Sequence, residues 1–153
     1  MNDLAVDVRT IPVRIFASPD QPTDLDIFLP AADPPGAHGL LGRLNDGDRF
    51  LPMRVDGEIR LMAKTAIRAL VVGFVLPEIQ VLDDLGAKDV HLRIHLRDGR
   101  TMEGSAAILL PELRGRPLDF LNLEERFFAL TSLGGTVVVN KDWVEFVEPA
   151  ESP

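Results

Sequence analysis

Leu44-Asn45-Asp46-Gly47-Asp48-Arg49-Phe50 and Leu121-Asn122-Leu123-Glu124-Glu125-Arg126-Phe127 are the two stretches around which this chain is organised. Leu, Asn, Arg and Phe recur in them at a constant offset of 77, and the same offset carries Gly57 onto Gly134 and Lys64 onto Lys141. Apolar residues match apolar ones between these points, Leu61 with Val138 and Ile67 with Val144. Six gap-free matches are hard to obtain by chance from unrelated segments, and they are read as an internal duplication. The duplication speaks to architecture more than to chemistry, because the repeated residues form no catalytic constellation.

The duplication divides 153 residues into two small units. A unit of roughly 70 residues buries only about 60% of the surface its unfolded chain exposes, so each is expected to pack against its twin. Hydrophobic residues at 46% and charged residues at 26% exclude extended disorder as the main state. Twelve prolines and twelve glycines fall mostly between short apolar runs, which predicts an all-β protein with few helices. No cysteine occurs, so disulfides and thiolate metal sites are excluded. Met1 to Thr10 lacks the basic and apolar regions of a signal peptide, and no apolar run is long enough to span a bilayer. The expected compartment is therefore the cytoplasm. A net charge of −8 repels phosphate backbones on average and lowers the expectation of nucleic-acid binding.

Residues 11–75 are assigned to the first unit, 76–89 to a linker and 90–149 to the second unit. Val13 to Phe16 and Leu25 to Leu29 read as strands by alternation. Ala31 to His38 contains Pro34-Pro35-Gly36 and reads as a loop, with one helical turn over Leu40 to Asn45. Arg49 to Val55 and Glu58 to Ala63 flank Asp56-Gly57 as a hairpin, and Ala66 to Phe74 supplies a fifth strand. The linker's Ile79, Val81 and Leu82 are expected to pack rather than float. The second unit repeats the plan, with Val90 to Leu96, Thr101 to Leu110, a loop over Pro111 to Pro117, and strands over Arg126 to Thr131, Thr136 to Asn140 and Trp143 to Val147.

This order resembles that of the Sm-like small β-barrels. Val90 to Gly104 is similar to the first Sm motif, a strand, an Asp-Gly turn and a second strand bent at Gly104. Leu133-Gly134 through Pro149 is similar to the second motif. The likeness covers the second unit, reaches the first through the duplication, and extends to tandem bacterial Sm-like domains. It implies an all-β fold of two tandem five-stranded Sm-like barrels. It also implies assembly by pairing the fourth strand of one barrel with the fifth of the next, within a chain or in a homodimer or a homotrimer of six barrels. The family's RNA pocket would place Asp119 and Asn122 in the loop before the third strand, and Asn140-Lys141 where the family has an Arg-Gly pair. The first unit offers Gly42, Asn45, Ala63 and Lys64 at those places. The planar Arg fork that stacks on a base is replaced by lysine, a point charge.

The candidate binding residues are thus Asn45, Arg49 and Lys64 with Asn122, Arg126, Asn140 and Lys141. The plainer readings are a turn-forming Asn45 and Asn122, ion-paired Arg49 and Arg126, and solvated turn lysines at Lys64 and Lys141. His91 and His95 on one strand stand about 13 Å apart, too far to share an ion. Alternation puts Leu92, Ile94 and Leu96 inward and leaves His91, Arg93, His95 and Arg97 on one polar face. Arg93 and Arg97 echo the arginine pair of PilZ cyclic-dinucleotide domains, without their downstream element. No phosphate loop, zinc helix or nucleophile elbow is present, and no cofactor is expected. The expected function is non-enzymatic: a protein-interaction or assembly module acting through strand edges, toward a protein partner or itself. An RNA-binding Sm-like protein is the alternative, and a cyclic-dinucleotide or small-ligand sensor a third reading. Interspersed acids beside Arg93, Arg97, Arg100, Arg126 and Lys141 would favour the first; convergence of those cations on one face would favour RNA.

Overall fold

Alternation of apolar and polar residues sets the strands, because successive side chains point to opposite faces. Val8–Phe16 (β1) buries Ile11, Val13 and Ile15, and Thr23–Pro30 (β2) buries Leu25, Ile27 and Leu29. A helix follows over Gly36–Leu44 (α1), then Phe50–Val55 (β3), Glu58–Ala63 (β4) and, after a 3-10 turn at Lys64–Ala66, Ala69–Val72 (β5). The second half runs Lys88–Leu96 (β6), Thr101–Ile108 (β7), Phe127–Ser132 (β8), Gly135–Asn140 (β9), a 3-10 turn at Lys141–Trp143 and Val144–Pro149 (β10). The computed structural model describes residues 8–17, 21–34, 36–73, 88–108, 121–122, 125–132 and 135–150. The proposed linker, apart from its last two residues, and the Pro111 to Pro117 loop lie outside them, as do Asp119 and Gly134.

The ten strands of the described residues form one antiparallel sheet in the order β10-β6-β7-β8-β9-β5-β1-β2-β3-β4. The first half contributes β5-β1-β2-β3-β4 and the second β10-β6-β7-β8-β9, so the fifth strand lies beside the first in both. Strands β3 and β8, strands β4 and β9, and the two 3-10 turns begin and end 77 residues apart. Sequence reasoning expects two barrels; the strands instead make a continuous open sheet, because β9 of the second half pairs with β5 of the first. The register there is Ala69↔Val139, Leu70↔Val138, Val71↔Val137 and Val72↔Thr136.

The cores interleave across this joint. Phe127 and Val138 of the second half belong to the first core, with Ile15, Leu44, Leu70 and Val72, whereas Val137 and Val139 belong to the second, with Ala69. Every residue of β9 is buried, since both of its faces are covered. Burying such side chains is worth about 1.5–3 kcal/mol each, so the joint is part of the fold and not a loose contact. Gly135 permits the close approach at its end: it sits at φ 139°, and a Cβ there would lie 2.1 Å from the carbonyl oxygen of Val72. Gly104, the expected bend, marks a second close approach, where a Cβ would come within 2.7 Å of the Leu130 Cβ on β8.

The helix is longer than the single turn expected. It starts at Gly36, after the Pro34-Pro35 pair in the sequence, so neither proline takes a place within it. Ala37, Leu40 and Leu44 then form one buried stripe. Among the described residues no helix is long and apolar enough to cross a membrane.

Candidate functional site

Of the recurrent residues, Asn45 and Phe127 meet across the joint and fasten it. Asn45, just beyond α1, reaches the second half with both ends of its amide: Nδ2 donates to the carbonyl of Phe127 at 3.0 Å, and Oδ1 accepts from the Phe127 N–H at 2.8 Å. This bidentate clasp holds the start of β8 against the helix end. The turn-forming role expected for Asn45 is therefore replaced by a link between halves.

Asn140 works in the same joint from the other side. Fully buried at the end of β9, it donates through Nδ2 to the Ile67 carbonyl at 2.9 Å and accepts at Oδ1 from the Asp142 N–H at 2.9 Å. Its own N–H donates to the Arg68 carbonyl at 3.0 Å. A buried amide is stable only when so satisfied.

Lys64 is buried, against the solvated turn lysine that sequence reasoning expects. Its ammonium donates to Asp46 Oδ1 at 2.6 Å and to the Arg43 carbonyl, partners that fold back from the end of α1 and the loop after it. Asp46 is held below the usual carboxylate range: burial pushes it up, but the hydrogen bonds from Lys64 and the Asp48 N–H and the nearby positive charges outweigh that push. Lys141, at the equivalent place, is partly buried against the Phe128 ring, 5.9 Å from its centroid. Burial lowers its pKa, opposed by the charge of Glu125.

A cleft of about 720 Å³ opens beside these fasteners. Four of the seven sequence candidates line it, Asn45, Arg49, Lys64 and Arg126, whereas Asn122, Asn140 and Lys141 do not. Arg49, Lys64 and Arg126 line it together with Asp46, Asp48 and Glu125, and Lys64 already holds Asp46, so the cleft offers no net positive field to an anion. Arg126 also pairs with Asp142 at 3.1 Å, as expected of a structural ion pair. Asn122 is exposed.

The other cations are interspersed with acids. Arg14 pairs with Asp24 at 2.8 Å, Arg100 with Asp98 at 2.9 Å, and Arg93 with Glu103 at 3.3 Å and Glu148 at 3.1 Å. His95 stacks on Phe146 with ring centroids 4.1 Å apart and bonds Glu148 at 3.0 Å. Those His95 and Arg93 bonds hold the Glu148 carboxyl below its ordinary range. Among the described residues no three His, Asp or Glu side chains gather as a metal ion would require.

Sequence reasoning missed Trp143 and Arg68. The Trp143 indole donates to the Thr65 carbonyl at 3.1 Å, and the Arg68 guanidinium lies over its ring at 4.2 Å while bonding Asp98 at 2.9 Å. A usable signal exists: Asn140 and Trp143 stand 77 residues after Ala63 and Ala66, so the positions that break the repeat mark the joint.

The outermost strands are the remaining notable surface. On β4, Ile59 and Leu61 are exposed, as are Phe50 on β3 and Phe146 on β10. No family model, curated protein or solved structure matches this chain.

Proposed function

We propose that this chain is a non-enzymatic assembly module of two Sm-like halves, derived by duplication, that binds protein through its two open strand edges. The β5–β9 joint is the observation that carries the reading. The chain joins its own halves by pairing a fourth strand with a fifth, and among the described residues one strand of each rank, β4 and β10, has no outer neighbour in the sheet. An open edge presents unpaired backbone donors and acceptors, which pair with another strand when one is offered. Exposed Ile59 and Leu61 add apolar area to that edge. The matching strand orders and equal offsets support the duplication, and the place of the fifth strand beside the first supports the Sm-like likeness.

The ion pairs of Arg14, Arg93, Arg100 and Arg126 with nearby acids disfavour a phosphate-binding face. Capture from native lysate tests the choice. Wild-type chain is expected to retain protein and no nucleic acid, and Leu61→Lys to lose most of that protein. RNA retained by the wild type and lost with Lys141→Ala would replace this reading by RNA binding.

A further inference from the structure

We infer that Ser105, on the outward face of β7, is a nucleophile activated by His91 and accepts one small acyl group from an activated ester. Alternation places His91, Arg93 and His95 of β6 on one face of the sheet, and the register sets His91 opposite Ser105, Arg93 opposite Glu103 and His95 opposite Thr101. From the other side, β10 sets Glu148 opposite Arg93. Ser105 stands on a strand flanked by β6 and β8, so the site is separate from the open edges and goes beyond the binding reading. Groups carried on paired strands are held by the backbone more firmly than groups on loops.

The partners of the imidazole fix where its proton sits. Glu103 Oε1 lies 3.5 Å from His91 Nε2, and an ionised carboxylate only accepts, so it favours the tautomer with the proton on Nε2. Nδ1 then carries the lone pair, and the Ser105 hydroxyl, 3.0 Å away, donates to it. Glu103 is itself held, since Arg93 Nε reaches its Oε2 at 3.3 Å while Arg93 Nη1 donates to Glu148 at 3.1 Å. Hydroxyl, imidazole and carboxylate in that order are the arrangement by which a base draws the proton from an attacking oxygen. Ser105 is partly exposed, so a reagent in solution reaches it. His95 shows that the arrangement is not automatic on this face: Thr101 Oγ1 is 3.5 Å from its Nδ1, too long for a good hydrogen bond, and Phe146 stacks on its ring.

In the transfer, Ser105 Oγ attacks the ester carbonyl carbon as His91 Nδ1 takes the hydroxyl proton. The bond from that carbon to the leaving oxygen then breaks, and the proton passes from Nδ1 to the leaving oxygen, so one acyl–oxygen bond forms and one is lost. Glu103 stabilises the imidazolium while it holds the proton. Strand N–H groups point along the sheet toward neighbouring strands, whereas side chains stand out from its face, so the backbone aims no donors at the developing oxyanion. The donor must therefore already be activated, and the acyl group, once transferred, is released slowly. Each chain takes one group and keeps it, a modification without turnover that stands beside the non-enzymatic reading. Thr131 flanks Ser105 from β8 on an open face, which suits a group as small as acetyl.

The full chain treated with para-nitrophenyl acetate is expected to release nitrophenol in a burst equal to the protein present. Intact mass is expected to show a single added acetyl group, and peptide mapping to place it on Ser105 and not on Thr101. Ser105→Ala is expected to lose the burst, His91→Gln to slow it about 100-fold and Glu103→Gln about tenfold. The wild-type rate is expected to rise with pH and level off as an imidazole loses its proton, a dependence that His91→Gln removes; Glu103, Arg93 and Glu148 are the charged groups around that ring. Unchanged thermal midpoints and Trp143 emission show that the variants are folded, so a slower burst reports chemistry. Acetyl groups found on lysines with Ser105 unmodified overturn the inference. So does Ser105 labelling that keeps its full rate in His91→Gln and Glu103→Gln.

Discussion

The indole of Trp143 in the second half donates to the backbone carbonyl of Thr65 in the first, 3.1 Å away, and it does so under the guanidinium of Arg68. The bond crosses the joint at the 3-10 turn that precedes β10. Trp143 is the only tryptophan, so its emission reports the joint. Trp143→Ala, which copies the alanine at the equivalent Ala66, is expected to cost about 1–3 kcal/mol in denaturant unfolding.

Asn45 and Asn122 share a place in the repeat but not a task. Asn45→Ala removes both bonds to the Phe127 backbone and is expected to cost about 1–3 kcal/mol, the penalty of unpaired partly buried groups. Asn122→Ala is expected to change monomer stability by less than about 0.5 kcal/mol, since an exposed side chain is truncated. Chemical denaturation of dilute protein measures both.

Much of the strand plan is legible in the sequence. Asp56 and Gly57 both adopt positive φ, as a two-residue hairpin turn demands, and Leu92, Ile94 and Leu96 are buried as alternation requires. The helix is hidden by its prolines, which read as loop signals yet are tolerated at a helix start. Lys64 is hidden because its partner Asp46 lies 18 residues away and only folding brings them together. Of the site, four candidates meet at one cleft, whereas the joint is marked mainly where the repeat breaks, at Asn140 and Trp143.

Val137 shows why an edge is hard to read. Alternation puts Val138 toward a core and leaves Val137 on the opposite face, a place suited to a surface probe. In the structure both are buried, one in each core, because β9 is central in the sheet. Val137→Lys is therefore expected to unfold the chain or lower its midpoint steeply, a lone buried ammonium being far costlier than the lost methyls. Ile59→Lys, on the exposed edge, is expected to leave the monomer's thermal midpoint almost unchanged.

Asp98 lies buried between Arg68 and Arg100. Burial raises its pKa, but the Arg100 backbone N–H, the Arg68 hydrogen bond and both positive charges outweigh burial and hold it below the ordinary value. A depressed carboxyl pKa stabilises the fold above the unfolded value of about 3.9, and that stabilisation is lost as pH falls through the folded value. Asp46 and Glu148 are shifted the same way. Thermal midpoints are expected to hold from neutrality to about pH 5 as far as these groups act, then to fall on further acidification. Asp98→Asn is expected to lower the neutral midpoint and flatten the acid slope.

Amide hydrogen exchange, read residue by residue at low and high protein concentration, tests the central claim most directly. The N–H groups of Val138 and Leu61 occupy equivalent places, one bonded across the joint and one on the open edge. Val138 is expected to exchange only on global unfolding at every concentration. Leu61 is expected to exchange fast. Fast exchange at Val138 would contradict the joint between the halves, and a Leu61 amide as protected as that of Val138 would contradict the open edge.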